Sequence, residues 1–266
     1  MGITKIQSDN ESFQIDLLHK GCSENQYLRE LVMNGIDAKR PDSNLEILID
    51  IDWDYYQLNG VYKMCISDNG KGLSALEIRE FLNKMSSSSS TQDFMGNFGI
   101  GAKISTYPIS KKGVIYKSWK DDKGILGVII SENNDYGLEH LEKEDGSVTE
   151  ILDLPDNAWK PLNIEKVGTS VTICGNSENE NTFLPQNQKT TLWILRYLNR
   201  KFLNLPEGVS IKVRYFSNSD SKTWPTSEPK QLNNEIKWYT VHGSKYWLDK
   251  YSAKGKGTVS LSNGEM

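Results

Sequence analysis

The spacing of apolar and polar positions changes several times along the chain, and each change predicts an element. Residues 12–18 alternate, as an edge strand does. From about 24 to 39 the period becomes helical, with Leu28, Leu31, Val32, Gly35 and Ile36 on one side. Ser23 is placed to cap this helix, Gln26 to complete a capping box, and Pro41 lies just past its end. Residues 45–53 and 61–67 are rich in β-forming side chains and flank a polar turn, which predicts a hairpin. A second helix is predicted over 74–84, capped by Ser74 with Glu77 three residues on, and a short third over 102–106, stopped before Pro108.

From 113 to 173 the pattern is mainly β. Residues 114–119 and 125–131 form a hairpin around 121–124, and 148–152 and 169–173 supply further strands. Residues 176–188 are polar and loop-like. Residues 191–202 regain helical spacing through Leu192, Leu195, Leu198 and Phe202, and 209–216 reads as a closing strand. The stretch 217–229 is rich in Ser, Asp and Pro, as linkers are, and 236–266 is too short for a core of its own. The organisation expected is one domain over 1–217, then a linker and the start of a second domain over 218–266.

Composition narrows the function classes. The formal net charge of −4 argues against electrostatic nucleic-acid binding by the chain as a whole. Local basic clusters at Lys111, Lys112, Lys117 and Lys120, and at Arg196, Arg200 and Lys201, read as solvated surface. Cys22, Cys65 and Cys174 are odd in number and far apart, so they read as buried reduced thiols rather than a metal site or disulfide framework. Residues 1–10 show no apolar signal core, and no apolar run is long enough to span a bilayer. A cytoplasmic protein that avoids the membrane is expected.

Candidate chemistry lies on the polar side of the first long helix. With Glu30 at zero on a wheel of about 100° per residue, Asn34 falls near ~40° and Asp37 near ~−20°. An amide oxygen is a hard donor suited to Mg²⁺, and a carboxylate one turn earlier can polarise an attacking water. Taken alone, the segment also reads as an ordinary amphipathic helix. Asp68-Asn-Gly70-Lys-Gly72 follows a strand and enters a helix. A carboxylate there can accept from the exocyclic amine of adenine, where guanine carries a carbonyl, while Gly70 and Gly72 permit close backbone approach. Gly96-Asn-Phe-Gly99-Ile100-Gly101 precedes the short helix and fits backbone amides gathered around phosphates. It is not a Walker loop. Lys103 reads either as a phosphate contact or as a surface lysine. The serine run 86–91 just before these glycines reads as part of a mobile lid. Gly168-Thr169 precedes a strand and, alone, is a simple turn.

In this order and spacing, the four segments resemble the ATP site of the GHKL superfamily, which includes gyrase, the ninety-kilodalton heat-shock chaperone, MutL and sensor histidine kinases. Tyr27-Leu-Arg-Glu-Leu-Val-Met-Asn-Gly-Ile-Asp-Ala38 looks like the first motif of the chaperone and MutL branches. The resemblance covers about 12–216 and implies a two-layer α/β sandwich of the Bergerat type, with a mixed, mostly antiparallel sheet and helices on one face. It implies ATP with Mg²⁺, hydrolysed to ADP and phosphate. By it Glu30 is the general base, Asn34 the Mg²⁺ ligand, Asp37 a structural or water-bridging group and Asp68 the adenine ligand. Gly96, Gly99, Ile100 and Gly101 belong to the lid, and Thr169 bonds near the adenine. It also implies an ATP-dependent homodimer, and a basic residue from a following domain that reaches the γ-phosphate. The chain departs from the pattern at Gly35, where Ala or Ser is usual, and at Ala102-Lys103, where the chaperone has an aromatic and Ser. The departures lean towards MORC-like or bacterial and phage ATPases. A second reading is an ATP-gated binding module, a DNA clamp or defence component, with little hydrolysis.

Overall fold

The computed structural model describes residues 11–83, 100–216 and 237–252. Its centre is a mixed sheet. Strands β1 (Leu45–Ile51), β2 (Met64–Asp68), β3 (Val114–Lys120), β4 (Lys123–Glu132), β5 (Asp135–Leu138), β8 (Leu152–Asp153), β9 (Gly168–Ile173), β10 (Val209–Arg214) and β11 (Trp238–Thr240) build it. The order is β11-β10-β1-β2-β9-β3-β4-β5, with β8 also on β4. Only β1 with β10 is parallel; every other pairing in it is antiparallel. The short strands β6 (Leu141–Glu142) and β7 (Val148–Thr149) pair separately. The fold is thus α/β with a large, mostly antiparallel sheet, as expected.

The helices are α1 (Glu11–His19), α2 (Gln26–Asp37), α3 (Trp53–Asn59), α4 (Ala75–Asn83), α5 (Ile100–Thr106), α6 (Leu192–Lys201) and α7 (Ser244–Ser252). Leu28, Leu31 and Val32 of α2 and Ile194 and Leu198 of α6 pack into one core with Ile47, Ile49, Ile66, Ile173 and Ile211 of the sheet. Residues paired across antiparallel strands share a face, so the register carries this face across from Ile49 to Ile66, Val171 and Tyr116. The opposite face is largely polar, and most of its charged groups are paired, although the buried Ser170 hydroxyl has no partner among the described residues. Arg214 donates to the Asp50 carboxylate, Thr172 Oγ1 donates to Asp52 Oδ2 at 2.7 Å, and Lys117 Nζ lies 2.9 Å from Asp54 Oδ2.

Several local expectations need correction. Residues 12–18 are helix, not edge strand. Of the alternating apolar positions 13, 15 and 17 only Ile15 is buried, and Ser12 shares its face at i, i+3 spacing. The docking is tertiary: Tyr136 N–H donates to Ser12 Oγ at 3.0 Å, and Tyr136 O–H donates to Asp16 at 2.6 Å. The segment between β1 and β2 is not a simple polar turn, because α3 occupies it. Asp52 caps α3 by accepting from Tyr55 N–H at 3.0 Å, and Gly60 ends it at φ 66°. The capping box forms at α4, where Ser74 N–H donates to Glu77 Oε2 at 2.7 Å. At α2 only the Ser23 N–H to Gln26 bond forms, and Asn25 at φ 63° takes the cap position. The predicted strand 148–152 is broken into β7 and β8, which pair with different neighbours. Lys117 is buried and ion-paired rather than solvated, and Cys22 is half-buried, unlike Cys65 and Cys174.

Two-residue turns with both φ positive join β3 to β4 at Asp121-Asp122 and β4 to β5 at Asn133-Asn134. These residue types tolerate left-handed backbone, and such turns match strand twist. The described part of the C-terminal stretch lies on the same sheet, because β11 pairs with the outer edge of β10.

Candidate functional site

A cleft opens between α2 and the centre of the sheet. Its walls are largely apolar: Leu31, Ile47, Ile66, Leu73, Phe81 and Val171. Asn34, Asp68, Lys71 and Thr169 supply side-chain polarity, and Gly35, Ala38, Gly72 and Tyr116 complete the lining. Apolar walls with a few convergent polar groups are the character of a small-molecule site.

Chain order explains how these residues meet. β2 runs apolar into the core and ends at Asp68, whose register partner on β9 is Thr169. Two motifs about a hundred residues apart thus become neighbours. Asp68 is buried, and its Oδ1 accepts from Gly70 N–H at 2.9 Å. Burial pushes its carboxyl up to about 7, against the lowering effects of the Gly70 N–H and of Lys71. The loop after Asp68 is pinned to the end of α2 by Lys71 N–H donating to Ala38 O at 2.9 Å. Gly70 is dictated by that approach, since a Cβ there would stand 2.6 Å from Ala38 O. Gly72 has φ +61°, where an L side chain is strained.

On α2, Asn34 lines the cleft and its side chain makes no hydrogen bond among the described residues. Glu30 lies outside the apolar cleft. Its carboxylate sits over the first turn of α5, where a Cβ on Gly101 would stand 2.3 Å from Glu30 Oε2. It also pairs with Arg29 at 2.7 Å. Asp37 is at the exposed end of α2, its carboxyl raised by partial burial against the opposing charge of Lys71. Lys103 is buried in α5, with its ammonium 5.2 Å from the centroid of the Phe81 ring, and burial lowers its pKa to about 8. Ile100 begins α5. Gly96 and Gly99, with the serine run, lie outside the described residues.

The cleft therefore gathers Asn34, then Asp68 and Gly72, and Thr169 from three separate motifs, with Glu30 and Gly101 in contact beside it. Sequence reasoning missed most of the walls. Ile66 and Val171 were accessible by counting two residues back from Asp68 and on from Thr169. Tyr116 follows only from the β3–β9 register, and Phe81 carried no signal.

A single uncommitted amide oxygen is a donor of the kind that Mg²⁺ takes alongside its waters. Mg²⁺ retains several waters and seldom uses an all-protein cage. Asn34 offers an uncommitted amide, and no group of three or more His, Cys, Asp or Glu capable of holding a metal occurs among the described residues.

Residues 22–154, half of the chain, match the family model described as histidine kinase-, DNA gyrase B-, and HSP90-like ATPase. Chaperone protein HtpG of Bacteroides fragilis is 29% identical over 158 residues, covering 53% of this chain and 23% of the relative. HtpG of Bacteroides thetaiotaomicron is 28% identical over the same length. The chain thus spans about a quarter of these relatives, 23% of their length. Among solved structures, the 43K ATPase domain of Thermus thermophilus gyrase B, crystallised with an aminocoumarin, aligns with TM-score 0.44 at 15% identity. That alignment covers 87% of this chain and 49% of the other.

Proposed function

The chain belongs to the histidine kinase-, DNA gyrase B-, and HSP90-like ATPase family, and we propose that it binds ATP in the cleft between α2 and the sheet and hydrolyses it to ADP and phosphate. The observation that carries this reading is Asp68, a buried carboxylate in the wall of a largely apolar cleft. The apolar walls suit a purine ring, and Asp68 accepts from its exocyclic amine, with Thr169 alongside. A guanine would present a carbonyl to the same carboxylate, and the two acceptors repel.

Asn34 would hold Mg²⁺, which when bound neutralises phosphate charge. Glu30 orients the attacking water and takes its proton. Asp37, Lys103 and the glycines Gly96, Gly99 and Gly101 border the phosphates. Closure of residues 86–101 over the nucleotide works as a switch that favours a homodimer. Because β11 pairs with β10, residues 237–252 are read as part of the same domain as 1–217 rather than of a second one, and the compartment is the cytoplasm. Among the described residues no helix is long and apolar enough to cross a membrane.

Calorimetric titration tests the reading. ATP should bind and GTP should bind far more weakly, with Asp68→Asn weakening ATP. Equal affinity for the two nucleotides would remove the assignment of Asp68. A gated module without turnover differs only in rate, so phosphate release by the wild type decides between the two readings.

A further inference from the structure

The net negative charge of the chain hides a strong local asymmetry. Helix α6 carries Arg196, Arg200 and Lys201 and no carboxylate. Residues 237–252 add Lys237, Lys245 and Lys250 against a single acid, Asp249. All six cations are exposed. The two elements are fastened end to end, because the N–H groups of Ser244 and Lys245 donate to the carbonyls of Phe202 and Leu203 just past α6. Asn199 of α6 also accepts from the N–H groups of His242 and Gly243 at 2.9 Å each.

Aromatic rings are interleaved with these cations. His242 stacks on Tyr246 with centroids 4.2 Å apart, and Trp247 stacks on Tyr251 at 6.2 Å. The Lys250 ammonium lies 5.6 Å from the Tyr246 centroid and 5.2 Å from that of Trp247. Lys237 sits 5.2 Å from both Tyr215 and Tyr239. None of this is core: α7 has no buried residue, and Tyr251 is 64% exposed.

We propose that the surface formed by α6, β11 and α7 binds single-stranded nucleic acid, its lysines and arginines tracking the phosphates and its exposed rings stacking on bases. Charge complementarity supplies the first half, since a polyanion is the partner that six cations and one carboxylate fit. The rings choose among polyanions. A duplex keeps its base faces stacked inside, whereas a single strand offers them to Tyr and Trp. An anionic membrane would favour an amphipathic helix with cations opposite the apolar face. Here the Lys250 ammonium lies on the rings themselves.

Fluorescence anisotropy with a labelled oligothymidylate of about 20 nucleotides, a length that spans typical single-strand sites, tests the proposal on the full chain. Saturable binding that weakens as salt rises is expected. Lys250→Gln should lower the slope of log affinity against log salt by about 0.7, the loss of one phosphate contact. Tyr251→Leu should weaken binding about fivefold or more with the slope unchanged, as loss of one stacked base does. Both side chains are solvent-exposed, so melting temperatures close to wild type will show that the fold is intact. No saturable binding, equal affinity for a duplex of the same length, or binding to phosphatidylserine vesicles in place of the oligonucleotide would each overturn the assignment.

Discussion

Asp68 illustrates how one side chain couples fold, pH and ligand. Burial holds its carboxyl at about 7, so near neutrality it is part protonated. Because this folded pKa is raised, the contribution of Asp68 to stability is full below the ordinary carboxylate range and lost as pH rises through about 7. Nucleotide binding runs the other way, since an amine donates best to the ionised form. Between about pH 8 and about pH 6 the ionised fraction falls roughly tenfold, and ATP affinity should fall with it. Asp68→Asn should be weak and pH-independent; an affinity that stays level in wild-type titrations across that range would refute the coupling. Glu30→Ala should abolish phosphate release while leaving ATP affinity within a few-fold, because a general base acts in the transition state. Asn34→Ala should lose both turnover and Mg²⁺-dependent binding. Wild-type turnover by Glu30→Ala in a phosphate-release assay would remove the catalytic assignment.

Among the elements, α3 and the back of the sheet depend on one carboxylate. Asp52 caps α3, accepts from Thr172 and lies 3.5 Å from Lys117 Nζ. Asp52→Ala would leave the buried Lys117 with only the half-exposed Asp54. A loss of about 3–5 kcal/mol in denaturant unfolding is expected, as for other broken buried pairs. A change within about 0.5 kcal/mol, the usual range for surface sites, would show that the network does not support the sheet. The same region shows what local pattern can and cannot specify. Strands β1, β2, β3, β4, β9 and β10 and helices α2, α4 and α6 were legible because their periods are long and their caps or turns local. Helix α3 was not, because Trp53, Tyr55 and Tyr56 have β-forming side chains and only Asp52 and Gly60 mark its ends. Helix α1 was missed because its face is chosen by Tyr136, far away in sequence. The polar members of the cleft were legible as motifs. Its walls were not, because Tyr116 and Phe81 reach it through strand register and helix packing, which no window of sequence contains.

At the level of the whole molecule, the cleft sits over the inner strands β2 and β9, while the two faces of the sheet differ in character. The lid reading of residues 86–101 predicts slower amide exchange there when a non-hydrolysable ATP analogue is bound, with a shift towards dimer by light scattering. Unchanged exchange at saturating analogue would sink the lid; unchanged mass would remove only the dimer. Strand order has a further consequence during translation. Asp68 must wait for Thr169, its neighbour in the sheet, and β1 must wait for β10. At the usual pace of about 5–20 residues per second, the ribosome needs roughly 5–20 s to deliver β9 after β2. For that interval β1 and β2 emerge with apolar faces and open edges, and no nucleotide can be fully held because the Thr169 and Val171 wall of its pocket has yet to be made.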